Sequence, residues 1–263
     1  MLESFLLDQS FSFVVSSVLI MVRLVAFFSI VPMINKHVPK KAMVCFCGVL
    51  TLIIAQRLSP LLSVEQSTYM TSDILLDMVR NSFIGFVYGV ALLCVFEVIT
   101  IMGTLIAYAC QMGFASMLDP VNGTNNSVVS NLFMIMYSLF FVSGGGLLGF
   151  ISFFGDSFAH YPAVGSNILS IDLHGFALQL GDVFSMALVL ALPFIAASLL
   201  LNAGLAVISK MAPSFNLFSI GFPLCIMCFI MSLSVCMPTM LASINVSIVH
   251  LMEAYRSALS VAL

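Results

Sequence analysis

The sequence predicts an all-α, polytopic membrane protein of helical hairpins with long and kinked helices, and three observations predict it. Hydrophobic residues fill 62% of the 263 positions and charged residues only 7%, against about 25% charged in soluble domains. Several apolar runs reach the roughly 20 residues that a helix needs to cross about 30 Å of hydrocarbon. Those runs do not alternate apolar and polar residues, which excludes a transmembrane barrel.

The opening MLESFLLDQS carries Glu3 and Asp8 and no basic residue, so it does not read as a cleaved signal peptide and the first span is expected to stay. Segment one runs from Phe11 to Met33 with Arg23 near its middle. An arginine at mid-bilayer costs roughly 2.5–3.5 kcal/mol, so Arg23 is expected to face protein or water. Segment two lies between Lys41 and Arg57, short for a span unless its flanking charges snorkel. The connection from Pro32 to Lys41 carries Lys36, Lys40 and Lys41 and is the most basic part of the chain.

Arg57 to Arg80, with Glu65, Asp73 and Asp77, reads as a polar interval. Segment three follows from Asn81 to Cys110, and a helix of that length reaches roughly 45 Å, so it must tilt, kink or leave the bilayer. Its one charge is Glu97, and Gly85-x-x-x-Gly89 offers a small-residue face for close helix packing. The apolar sequence then breaks at Gln111 to Asn126, QMGFASMLDPVNGTNN. If such non-helical backbone lies at membrane depth, it belongs in protein or against a water-filled cavity.

Segment four, Val128 to Phe154, is interrupted by Gly144, Gly145 and Gly146, which invite a break. No Lys-Ser/Thr follows these glycines, so they are not a phosphate-binding loop. Gly155 to Asp182 reads as an acidic loop, and Val183 to Ser209 as segment five with Pro193 inside it. From Lys210 to Glu253 no charge intervenes, and Pro223 and Pro238 punctuate the tract. One kinked helix and a tight hairpin both fit that tract, and the tail from Ser243 has a polar face suited to the interface. Lys36, Lys40, Lys41 and Lys210 fall on one side and Arg57, Arg80 and Arg256 on the other. This count favours both termini outside the cytoplasm.

A net charge of -3 with 8 scattered Lys and Arg residues leaves no nucleic-acid footprint. The seven cysteines, Cys45, Cys47, Cys94, Cys110, Cys225, Cys228 and Cys236, lie within or at the ends of apolar segments and read as small buried hydrophobes. Cys225-x-x-Cys228 has no second pair and no nearby histidine, so it signals neither a metal nor redox chemistry. No HExxH or GxSxG pattern occurs, and Asp119 has no second acid in a comparable setting for an intramembrane protease. The residues therefore point to no enzyme, metal or cofactor. Arg23 and Glu97 read as an intramembrane charge pair or a subunit contact, with a buried pair satisfying each other as the plain alternative.

Four stretches carry a resemblance. They are Arg23, Pro32 and Val38-Pro39 in the first hairpin; Gln111-Met112-Gly113-Phe114-Ala115-Ser116-Met117-Leu118-Asp119-Pro120; Asn202-Ala203-Gly204-Leu205; and Ala212 to Pro223, APSFNLFSIGFP, with Pro213, Asn216, Gly221, Phe222 and Pro223. In this order and spacing the chain resembles the FliR family, the R-type flagellar biosynthesis proteins, whose counterparts serve in injectisomes. The Ser219 to Pro223 motif looks more like the flagellar branch.

The resemblance implies a pore-forming subunit of the type III protein export gate, multi-pass in the bacterial inner membrane at the flagellar basal body. It implies a ring-like helical hetero-oligomer with P-type and Q-type membrane subunits. The B-type switch subunit, the wider export apparatus, unfolded exported proteins and the lipid bilayer would be further partners. Residues 1–210 would be P-type-like and 211–263 a Q-type-like C-terminal hairpin. It also implies a loop that plugs the resting pore, mapping here onto Gln111 to Gly123, Asn122 included. Between Gln-Met-Gly and Asp-Pro this loop is two residues shorter than is common in the family. Met112, Phe114, Met117 and Leu118 suit closure by dewetting and adaptable packing, Gly113 and Gly123 permit bends, and Pro120 ends helix. A stand-alone secondary transporter with Arg23 and Glu97 as its coupling site is the rival from another class. It calls for two matching halves, and no convincing internal repeat is present.

Overall fold

The computed structural model describes residues 2–32, 38–58, 71–112, 127–164, 173–211 and 217–260. Among the described residues the chain forms α1 (Leu2–Ile30), α2 (Lys40–Leu58), α3 (Thr71–Ala109), α4 (Val128–Ser143), α5 (Gly146–His160), α6 (Leu173–Met211) and α7 (Leu217–Ser260), and no strand. Among the described residues, four helical stretches are long and apolar enough to cross a membrane: Phe13–Ile30, Asp73–Ala109, His174–Met211 and Pro223–Tyr255. A fifth results if α4 and α5 together make one broken span. The all-α polytopic architecture is as predicted.

The glycine run breaks segment four as expected. Gly145 takes a left-handed φ of 77° between α4 and α5, a conformation that L side chains resist. At the other end of α4, Ser127 caps the helix by accepting from the Ser130 N–H at 3.0 Å, which satisfies one of the free amides of the first turn. Of the two arrangements open for the C-terminal tract, one long helix forms. α7 runs through both Pro223 and Pro238 for 44 residues, so any two-helix arrangement at this end joins α6 to α7 across residues 212–216, outside the described residues.

Two boundaries differ from the sequence reading. α3 begins at Thr71 and α6 at Leu173, each about ten residues early, where polar residues had suggested loop. At α3, Asp73 sits in the first turn, where a carboxylate complements the helix dipole, and Asp77 accepts from Arg80 three residues on. At α6 the early residues are used in packing: Phe176 meets the Tyr255 ring at 5.2 Å and Gln179 Nε2 donates to the Ala254 carbonyl at 2.7 Å. α5 likewise extends to His160 within the expected acidic loop.

The chain divides into two compact units. The first holds residues 1–93, 145–173 and 256–263, that is α1, α2, the first part of α3, and α5. α1 and α2 run antiparallel, with Phe28 edge-on to Phe46. α5 packs against α1 and α3 through rings: Phe27 meets Phe154 at 4.2 Å and Tyr88 meets Phe153 at 4.9 Å. The second unit holds residues 94–144 and 174–255. In it the rest of α3 pairs with α4, Phe96 packing on Tyr137 and Phe141, and α6 pairs with α7. Contacts 176/255, 194/229 and 202/225 descend on α7 as they ascend on α6, so those two helices are antiparallel along their length. The division expected at residue 210 concerns likeness to other subunits, which these packing units do not measure.

Candidate functional site

In the first unit, the small-residue face predicted at Gly85 and Gly89 lets α3 lie directly on α1. A Cβ at Gly85 would collide with the Arg23 carbonyl oxygen, and one at Gly89 would stand 3.1 Å from the Phe27 carbonyl. That close approach carries α1 deep into the unit and buries Arg23 completely.

A buried guanidinium needs every acceptor it can find, because desolvation costs several kcal/mol. Arg23 donates through Nε and Nη2 to Asn81 Oδ1 at 3.0 and 2.6 Å, through Nη1 to the Ser157 carbonyl at 3.1 Å, and through Nη2 to the Tyr161 carbonyl at 2.8 Å. Its Cζ also lies 4.5 Å from the Phe158 ring centroid, a cation–π contact worth up to about 2 kcal/mol when water is excluded. Asn81, itself fully buried, is used to capacity: its Nδ2 donates to the Asp77 and Ala163 carbonyls, both at 2.7 Å. An aspartate there would lose both donations and a leucine all four bonds. α1, α3, α5 and the turn after α5 are thus clamped by one arginine and one asparagine.

Arg23 faces protein, as its cost in lipid predicted. What holds it is neutral oxygen from Asn81 and two carbonyls, and Glu97 lies half-buried in the second unit. Sequence reasoning missed Asn81, Ser157 and Tyr161. Asn81 carried a usable signal, a lone amide at the mouth of an apolar run, whereas backbone carbonyls carry none.

In the second unit, α3 ends in a Schellman arrangement, in which the next two amides fold back on the last turn. The Gln111 N–H reaches the Tyr108 carbonyl at 3.2 Å and the Met112 N–H the Ala107 carbonyl at 2.9 Å. The left-handed residue this requires is normally glycine, yet here it is Gln111, at φ 60°, a conformation that costs an ordinary residue roughly 1–2 kcal/mol. Its side chain finds a partner: Nε2 donates to Asn202 Oδ1 on α6 at 3.1 Å. The same oxygen accepts from the Cys225 thiol on α7 at 3.6 Å. One turn further along α6 and one back along α7, Leu205 Cδ1 stands 3.7 Å from where a Gly221 Cβ would be.

The structure therefore brings three of the four resembling stretches together at this end: Gln111, the Asn202–Leu205 stretch, and Gly221. Met112 is half-buried beside Gln111. Gly113, Phe114, Ala115, Ser116, Met117, Leu118, Asp119, Pro120, Asn122 and Gly123, together with Pro213 and Asn216, lie outside the described residues. Pro223 is exposed on α7, and Phe222 is helical beside it. Of the seven cysteines expected to pack as small hydrophobes, Cys47, Cys94, Cys110 and Cys225 are buried, whereas Cys228 and Cys236 are half-buried and Cys45 is exposed.

A family model described as "Bacterial export proteins, family 1" matches residues 14–251, most of each unit. The flagellar biosynthetic protein FliR of Pectobacterium carotovorum subsp. carotovorum is 31% identical over 218 residues, 82% of each chain. FliR of Escherichia coli K12 is 28% identical over 78% of this chain and 77% of its own. The Yop proteins translocation protein T of Yersinia pestis is 26% identical over 78% of this chain and 79% of its own. The chain belongs to the bacterial export proteins of family 1, the FliR-type proteins.

Proposed function

We propose that this chain is a pore-forming subunit of the flagellar type III protein export gate in the bacterial inner membrane, at the basal body, and that it acts without catalysis. The observation that carries the reading is the 31% identity to a flagellar biosynthetic protein over 82% of both chains. The Ser219 to Pro223 motif supports the flagellar branch over an injectisome. In this reading its partners are the P-type and Q-type membrane subunits, the B-type switch subunit and the wider export apparatus, with unfolded proteins as cargo. The many exposed apolar residues of α6 and α7, among them Phe184, Leu200, Val207, Met231 and Val235, suit lipid and neighbouring subunits alike.

Extraction in mild detergent is expected to recover the chain with at least two other small membrane subunits. A stable monomer or a symmetric homodimer would sink the reading and favour a stand-alone transporter. Glu97, half-buried on α3, is assigned to a contact with a partner subunit. The Glu97→Gln substitution should reduce the recovered partners several-fold, and undiminished recovery returns Glu97 to a role within its own chain.

The residues from Gln111 to Gly123 are assigned to a plug that closes the resting pore. Support comes from the flexible and bulky apolar groups Met112, Phe114, Met117 and Leu118, which suit closure by dewetting, and from the tethered start of the loop at Gln111. Deleting Phe114 to Leu118 is expected to make the assembled gate leak ions at rest, as read by membrane conductance. Wild-type conductance in that deletion refutes the plug.

A further inference from the structure

Gln111 is an odd residue for its place. Glycine fits a left-handed helix end without strain, and the two backbone hydrogen bonds that close α3, from Gln111 and Met112, would form with glycine equally well. The side chain is therefore not needed to end the helix. Its one hydrogen bond among the described residues runs to Asn202 Oδ1, and that oxygen is shared with Cys225, which is 2% exposed. A single asparagine on α6 thus ties the point where the chain leaves α3 to the antiparallel pair α6 and α7.

We propose that Asn202 is a positioning residue: by holding the Gln111 side chain it fixes the left-handed end of α3, and with it the direction in which the chain departs toward residues 113–126. The functional consequence rests on the plug reading, whereas the anchoring itself does not. With the tether intact the loop starts from one fixed direction. Without it, the strained left-handed end opens more often, so the chain leaves α3 in a range of directions and the plug seals less well.

The test uses the whole export gate assembled in membranes, with two readouts: hydrogen exchange of the Gln111 and Met112 amides by mass spectrometry, and resting ion conductance. Asn202→Leu removes the acceptor and is expected to speed that exchange ~5-fold, the effect of losing one hydrogen bond, and to raise the resting leak. Asn202→Asp keeps an acceptor oxygen and is expected to restore both values toward wild type. Gln111→Gly relieves the backbone while cutting the tether, so exchange should stay slow while the leak rises; a role confined to helix capping predicts no leak from this change. It also supplies the answer if Asn202→Leu fails to assemble.

The Phe114 to Leu118 deletion separates the two ideas. If the deletion leaks while Asn202→Leu and Gln111→Gly conduct like wild type, the positioning role is overturned and the plug stands. If the deletion itself does not leak, the plug reading fails, and the exchange rates alone decide: unaccelerated exchange in Asn202→Leu overturns the anchor.

Discussion

Replacing Asn81 with leucine is expected to destabilise the first unit by about 3–5 kcal/mol, the cost of leaving a buried charge without its partner. Arg23 would lose the oxygen that takes two of its four hydrogen bonds, and the Asp77 and Ala163 carbonyls would lose the donor between them. Solvent cannot make good the loss, because both side chains are wholly buried. The informative comparison is the double variant Arg23→Met with Asn81→Leu. Removing the charge and its acceptor together leaves an apolar contact of similar volume, which is often close to neutral. Unfolding by SDS titration after purification should show the double variant well above Asn81→Leu alone. Losses that simply add would mean that the two residues act independently, and that the clamp is not a unit.

The second large effect concerns two glycines that look alike in sequence. Gly85→Ala is expected to cost about 1–3 kcal/mol, because its methyl would collide with the Arg23 carbonyl and press on the Ala26 Cβ at 3.1 Å. The obstacle is helix backbone and cannot swing aside. Gly48→Ala on α2 meets nothing within 4 Å and should gain about 0.5–1 kcal/mol from helix propensity. The same SDS titration applied to both should therefore give shifts of opposite sign. Equal shifts would show that α1 and α3 are not in backbone contact at Gly85.

Much of the fold is legible from apolar run length, and the finer features from small residues. Gly85 and Gly89 announce close packing because a small-xxx-small spacing has one dominant use between membrane helices. Gly144 to Gly146 announce a break because nothing else tolerates the backbone so freely. The early starts of α3 and α6 are less legible. Asp73, Asp77 and Arg80 look like a loop in composition, and their use as a dipole partner and an i,i+3 pair emerges only on a helix. For the site, Arg23 is legible as a residue in need of partners, but two of its partners are main-chain carbonyls, which every residue possesses. The union of Gln111 with Asn202 lies 91 positions apart and joins two uncharged amides, so no pattern in either stretch announces the other.

The spacing of the Arg23 clamp along the chain bears on how the protein is made. Asn81 follows Arg23 by 58 residues, but the Ser157 and Tyr161 carbonyls follow it by 134 and 138. At a synthesis rate of about 5–20 residues per second, the last acceptors emerge roughly 7–30 s after the arginine. During that interval α1 holds an incompletely solvated cation that lipid rejects. The set of acceptors around Arg23 is therefore complete only once α5 and the turn after it have been made.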